Sequence, residues 1–313
     1  MTVKSSYDLV IVGASAAGIA AAIYAARRNL RFAVYAADIG GEVATSGIIE
    51  NYPGFPTTDG IALTEEFKKQ LQKYAVEVVT PARVERIERT GESFTLHVRR
   101  GDAVSTTTAA TVIVATGVHP RHLEVPGERE FTGKGVTYCT TCDGPLYKGK
   151  TVTVVGGGNS ALEAGIMLAG IATDVTVLTI HEAMRGDTIL IENLQKLPNV
   201  HVRPFARTTS IVGEQVVQAL TIRDEQTGKE ERLPTQGVFV HIGLIPNAEL
   251  VADLVRRNDV GEIVVNARCE TGVPGLYAAG DVTNTPYKQI AIATGQGVTA
   301  ALGVVEYLNH HGS

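Results

Sequence analysis

The chain has 313 residues, 44% of them apolar and 19% charged, which suits a packed protein of about two domains and excludes disorder. Three cysteines are too few, and of the wrong parity, for a secreted disulfide scaffold; a formal charge of −5 with both signs interspersed leaves no electrostatic footprint for nucleic acid. The skew is in 33 glycines and no tryptophan, and glycine collects where backbone must approach a ligand closely.

In chain order, Tyr7 to Val12 is a continuous apolar run of strand length, followed by Gly13-Ala14-Ser15-Ala16-Ala17-Gly18 and an alanine-rich helical segment to Arg28. Residues 9–26 carry no charge for 18 positions, near the lower limit of a membrane span. Gly13 and Gly18 interrupt that run, alanine outnumbers leucine, and no basic region precedes it, so a buried strand and helix explain it better than a span or a signal peptide. The expectation is a cytosolic protein with no membrane partner. Phe32–Tyr35 reads as the next strand. Residues 75–110, with VEVV, RVERIER and FTLHVRR, alternate at period two and look antiparallel; Thr111 to Ala115 is a strand ending in Thr116-Gly117.

The opening pattern then returns. Lys150 to Val155 is a β-branched run, followed by Gly156-Gly157-Gly158-Asn159-Ser160-Ala161, a helix from Leu162 to Gly170 and a strand at Asp174–Leu178. Residues 200–235 repeat the antiparallel texture, with a turn at 224–228, and Gly237 to Ile242 is a strand ending in Gly243. The EIVVNAR run at 262–268 is strand-like. Fully apolar strands joined by helices belong in parallel sheets covered on both faces, so the fold class is α/β with two Rossmann-like, three-layer β-α-β domains.

Three motifs carry chemistry. A helix start preceded by glycines offers free N–H groups and a positive dipole end to a pyrophosphate. Gly13 and Gly18 fit the outer positions of the first such turn, with Ser15 in place of the middle glycine; a plain strand–helix turn is the competing reading. The acidic ribose partner expected after the second strand is missing, since Tyr35 or Ala36 stands there, with Asp38 nearby but unplaced. The second turn, Gly156 to Ala161, is GxGxxA directly after a strand, and two such turns argue for two dinucleotides. The third motif is Cys139-Thr140-Thr141-Cys142-Asp143-Gly144. A CxxC is a redox dithiol or half a zinc site; no second ligand pair exists and Cys269 stands alone, so no metal is expected and a dithiol with Asp143 as its acid is the better reading.

With GxSxAG at Gly13–Gly18, Gly40-Gly41, Glu50-Asn51-Tyr52-Pro53-Gly54, Ala115-Thr116-Gly117, CTTCDG, GGGNSALEA, Gly243-Leu244-Ile245-Pro246-Asn247, Ala279-Gly280-Asp281 and Tyr287-Lys288-Gln289, the sequence resembles the low-molecular-weight thioredoxin reductase family of FAD-dependent disulfide reductases over essentially its whole length. Within it, GGGNSALEAGIMLAGI and PYKQIAIATGQG are most similar to the flavin half of the NADH-dependent alkyl hydroperoxide reductase flavoproteins. The resemblance implies a discontinuous FAD domain, residues 1–115 and 245–313, with a pyridine-nucleotide domain carrying the dithiol, 116–244, inserted in it. It places FAD against Gly13, Ser15, Ala16, Gly18, Gly41, Glu42, Asn51, Ala115, Thr116, Gly117, Asp281, Gln289 and Ile290, and the pyridine nucleotide against Gly156, Gly158, Asn159, Ser160 and Glu182. Asp281 would bond the ribityl chain, and a helix starting near Gln289 would aim its N-terminus at the flavin. By the same analogy Cys142 faces the flavin, Cys139 exchanges with an external disulfide, and Asp143 is the acid–base group.

The resemblance also implies a homodimer, and a domain that rotates between two arrangements about crossings near 115–118 and 243–246, because nicotinamide and dithiol share one domain. The hydroperoxide-reductase relatives carry thioredoxin-like domains ahead of the flavin half; this chain starts at the flavin strand, so a separate thioredoxin or thioredoxin-like partner is expected. NADPH-using members hold the 2′-phosphate with HRRxxxR, where this sequence has Thr179-Ile180-His181-Glu182-Ala183-Met184-Arg185. Glu182 repels a phosphate and only His181 and Arg185 offer positive charge, which disfavours NADPH. NADH is the expected donor, with reduced ferredoxin the alternative. A small-molecule dithiol oxidase and a non-catalytic flavin sensor are the rival functions. Cys269 reads as a buried small hydrophobe, and His310-His311 as a solvated tail.

Overall fold

The computed structural model describes residues 6–46 and 48–311, and the chain divides into two compact units, one of 1–119 with 245–313 and one of 120–244. In the first unit seven strands form one sheet in the order Val78–Val79, Phe32–Ile39, Ser6–Ala14, Ala103–Val114, Ser93–Arg100, Arg83–Thr90, with Leu276–Ala278 also on Ala103–Val114, while Ile48–Ile49 and Thr58–Asp59 make a separate antiparallel pair. Ser6–Ala14 runs parallel to Phe32–Ile39 and to Ala103–Val114. Leu9, Val10 and Ile11 are fully buried, as strands covered on both faces require. Of the period-two segment 75–110, the part from Arg83 onward folds into the antiparallel arm, Arg83–Thr90 on Ser93–Arg100 on Ala103–Val114. Val78–Val79 instead pairs parallel with Val34 and Tyr35 at the sheet edge, because its neighbour and not its alternation sets its direction.

Helix Ala16–Arg27 packs on helix Ile290–His311 through small buried side chains, Ala17, Ala21 and Ala25 facing Ala293, Ala300 and Ala301 in one core. Short side chains let the two axes come close. The second helix is long and apolar enough to cross a membrane by length and composition alone, yet its buried stripe is part of this core.

In the second unit five parallel strands lie in the order Val136–Thr137, Gly237–Val240, Thr151–Val155, Asp174–Leu178, Val200–Arg203. A separate antiparallel sheet comprises Ala206–Gly213, Val217–Asp224 and Glu230–Pro234. Residues 200–235 are therefore antiparallel only from Ala206 onward; alternation alone does not distinguish a parallel edge strand from a hairpin. The run 262–268 is not a strand either, since only isolated bridges tie Ile263 to Arg257 and Thr283. Where the chain passes between units, Val118–Pro120 and Leu244–Pro246 form a two-stranded ribbon.

Candidate functional site

In the first unit the turn residues gather at the carboxyl ends of parallel strands, where open α/β sheets bind ligands. Gly13 has φ +110°, and a Cβ there would sit 2.2 Å from Ala115 O, so two glycine-turn strands touch backbone to backbone. Ser15 is the N-cap of helix Ala16–Arg27 but does not cap it; its hydroxyl donates to Gly40 O at 2.6 Å. With no side-chain cap and no acid in its first turn, that helix, with Ala16 and Gly18 buried at its start, keeps its leading N–H groups for an anion. Asp38 accepts from Gly41 N at 2.8 Å, so it organises the turn that presents Gly41 and the exposed Glu42.

Two further candidates meet across 238 positions of sequence, the Asn51 amide donating to Gln289 Oε1 at 3.2 Å beside Ile290 at the start of the long helix. Asn247, which motif reading left without a role, clamps the Thr116-Gly117 turn. It donates to Thr116 O (2.9 Å), accepts from Thr116 Oγ1 through its own carbonyl (2.6 Å) and contacts His119 Nδ1 at 2.8 Å. The neighbouring Gly280 is held by the Gln296 side chain, which accepts from Gly280 N at 2.7 Å. Lys288 is paired with Glu262 at 2.7 Å and donates to Thr283 O.

Asp281 follows on from Gly280 and takes no hydrogen bond from the described residues. Burial pushes its carboxyl up to about 6, with Lys288 opposing the shift and Glu42 adding to it. A folded-state value above the unfolded one means that the stability Asp281 contributes is present at low pH and lost as pH rises from about 4 to about 6. Asp281→Asn is thus expected to raise the melting temperature of flavin-free protein at pH 7 and to flatten its dependence over that window; thermal melts from pH 4 to 8 check it. Unchanged melts would mean that the carboxylate is well solvated.

The buried glycine approach, the uncapped helix start and the half-buried Asp281 carboxyl fit a dinucleotide with a polar chain. In the second unit the pattern recurs. Helix Asn159–Ala169 starts after Gly158 with no side-chain cap and no acid in its first turn. Asn159 Oδ1 accepts from Asp187 N at 2.8 Å, and Ser160 is exposed beside it. Gly156 has φ +153° and lies against His241 O. The Arg185 N–H donates to Gly157 O at 2.7 Å, which draws the segment after Asp174–Leu178 over the turn, whereas Glu182 is exposed. This too fits a nucleotide.

The same unit holds the sulfur pair. Cys139 and Cys142 form a disulfide across the one-turn helix Thr140–Asp143. Cys142 N donates to Cys139 Sγ at 3.2 Å, and N–H donation toward sulfur favours a thiolate there. Asp143 N is tied to Cys139 O at 3.1 Å, while Thr137 donates its hydroxyl to Asp143 Oδ2 and accepts from Cys139 N. One threonine thus sets both the acid and the start of the sulfur turn, a role that no spacing announced. The Thr140 hydroxyl meets His241 Nε2 at 2.6 Å. Cys269 is buried, its thiol pushed up to about 11 by burial, and His310 and His311 are exposed in the last helical turn. Among the described residues no group of three or more His, Cys, Asp and Glu side chains gathers as a metal site would.

Each unit thus carries a dinucleotide-type turn, and the second also carries a CxxC disulfide beside an acid. The profile of the pyridine nucleotide-disulphide oxidoreductases matches residues 7–297, and the chain belongs to that family. It is 44% identical to an NADH dehydrogenase of Bacillus subtilis and 42% identical to an alkyl hydroperoxide reductase protein of Escherichia coli, in each case over 97% of this chain and 59% of the relative. It thus spans about 59% of the length of these curated relatives. The crystal structure of thioredoxin reductase from Streptococcus pyogenes matches with a TM-score of 0.89 at 34% identity, over 98% of this chain and all of that one.

Proposed function

We propose that this protein is a cytosolic flavoprotein disulfide reductase, working as a homodimer, that takes electrons from NADH and delivers them to the disulfide of a thioredoxin-like protein. The observation that carries the reading is the Cys139–Cys142 disulfide, with Asp143 fixed beside it, in the unit that also presents the Gly156 turn. FAD, when bound, supplies a two-electron relay between nucleotide and disulfide. Gly13, Ser15, Ala16 and Gly18 would hold its pyrophosphate, with Gly41 and Glu42 on the adjoining turn. Asp281 would bond its polar chain, and Asn51, Gln289, Ile290 and Ala115 to Gly117 would border its ring.

When the dithiol is reduced, the Cys139 thiolate attacks the acceptor disulfide, and Cys142 then displaces the acceptor's second sulfur as the Cys139–Cys142 bond re-forms. Two electrons and two protons pass to the acceptor, and Asp143 is the group placed to move a proton at the sulfurs. Gly156, Gly158, Asn159 and Ser160 would seat the nucleotide phosphates at a helix start.

Three features support NADH over NADPH. Glu182 stands where a 2′-phosphate would need positive charge, no basic cluster follows Asp174–Leu178, and two relatives bear the name NADH dehydrogenase. Without charge-assisted contacts worth about 1.5–3 kcal/mol, NADPH should require about tenfold or more concentration for the same effect. Anaerobic titration of the flavin-loaded protein tests this: NADH bleaches the flavin band near stoichiometry and NADPH lags. Equal bleaching overturns the preference. Bleaching by neither points to reduced ferredoxin or a sensor, and oxygen uptake with a dithiol and no nucleotide points to an oxidase.

A further inference from the structure

Outside the groups used above, one polar side chain touches the sulfur turn from a different element. His241 lies just beyond strand Gly237–Val240, and its main chain is doubly fixed: its N–H donates to Val155 O at 2.8 Å, and its carbonyl oxygen packs where a Cβ on Gly156 would be 2.1 Å away. The ring is therefore mounted on a rigid post. It is largely buried, and burial pushes the imidazole down to about 4, so it is neutral at physiological pH. Its Nε2 meets the hydroxyl of Thr140, itself 6% exposed, at 2.6 Å. Thr140 opens the single helical turn that sets the Cα atoms of the two cysteines 5.3 Å apart. A one-turn helix has almost no intrinsic stability, so what holds it must come from outside.

We propose that His241 is a positioning residue for the dithiol, gripping Thr140 so that the turn carrying Cys139 and Cys142 keeps both sulfurs facing each other when the bond between them is open. The inference deepens the disulfide-reductase reading and rests on it. A turn held in the closed-bond geometry gives the two thiols a high effective concentration, which favours the disulfide; a released turn lets them separate. Loss of the grip therefore shifts the equilibrium toward the dithiol. Gln is the conservative replacement, because its amide reaches about as far as Nε2 and can both donate and accept.

The experiment equilibrates the flavin-loaded protein with dithiothreitol at graded ratios of its reduced and cyclic oxidised forms. The Cys139–Cys142 bond breaks and both sulfurs take protons as dithiothreitol closes to its own disulfide. Alkylation and mass measurement read the fraction reduced, with no nucleotide or acceptor present. In His241→Leu and in Thr140→Val the equilibrium is expected to move about three- to tenfold toward the dithiol, the span of one hydrogen bond. The double variant should shift no further than either single one, and His241→Gln should return to within about twofold of the parent.

The two single variants approach the contact from opposite sides, so a folding defect in one does not decide the matter. An unmoved equilibrium in both, or additive shifts in the double variant, overturns the proposal. A parent protein whose disulfide does not cycle with dithiothreitol overturns the disulfide-reductase reading instead.

Discussion

Cys139→Ser and Cys142→Ser are each expected to lower reduction of a thioredoxin-like disulfide by about a thousandfold or more, since a serine hydroxyl is neither ionised near pH 7 nor able to form the exchange bond. Bleaching of the flavin by NADH is expected to persist in both, because the glycine turns proposed to seat the cofactors are untouched. The two variants then separate. Cys142→Ser retains a free Cys139 that forms a stable mixed disulfide with the acceptor, whereas Cys139→Ser traps none. Anaerobic stopped-flow absorbance follows the flavin, and non-reducing electrophoresis detects the trapped complex. Trapping by Cys139→Ser alone would reverse the two roles, and full acceptor turnover in either variant would remove the dithiol from the reaction.

The second large effect is expected at Gly13. An alanine Cβ would lie 2.2 Å from Ala115 O and 2.7 Å from its carbonyl carbon, and both are backbone atoms that cannot swing aside. At φ +110° the substitution also forces an L residue into backbone that such residues rarely adopt. Strain of this kind costs about 1–3 kcal/mol, and overpacking adds about as much again. Gly13→Ala is therefore expected to lower the melting temperature markedly and to purify with about a tenth or less of the parent's flavin, since Ser6–Ala14 and Ala103–Val114 can no longer meet at the turn. Flavin released by heat and read by absorbance per protein chain checks this. A variant with parental flavin content would mean that the Gly13–Ala115 approach is dispensable.

How much of this is readable along the chain depends on how local each signal is. Apolar strand runs with a glycine turn and an alanine-rich helix behind them are contiguous, and periodicity recovers them. The parallel strands at Ser6–Ala14 and Thr151–Val155 follow from residues within about a dozen positions, and so does the antiparallel arm of 83–114. Where periodicity misleads, at 200–203 and 262–268, the deciding factor is the neighbour. Val200 and Val202 pair in parallel beside Val175 and Val177, and among the described residues the EIVVNAR run is bridged only in isolation, at Ile263. Asp38 could not be placed from sequence because its partner, the Gly41 N–H, exists only once the turn is folded.

The order of residues alone determined a chain with two phosphate-type turns and a reactive sulfur pair, because each is a short motif whose chemistry lies in its own backbone and side chains. Tertiary structure decided which groups tune them. Asn51 reaches Gln289, Asn247 closes on Thr116, Thr137 on Asp143, and His241 on Thr140. Three of these four pairs are more than 100 positions apart, and the fourth spans only six but turns on which side of a one-turn helix the carboxylate falls. Strand order brings the distant partners together, and a hydrogen bond needs a partner within about 3 Å, which no spacing along the chain specifies.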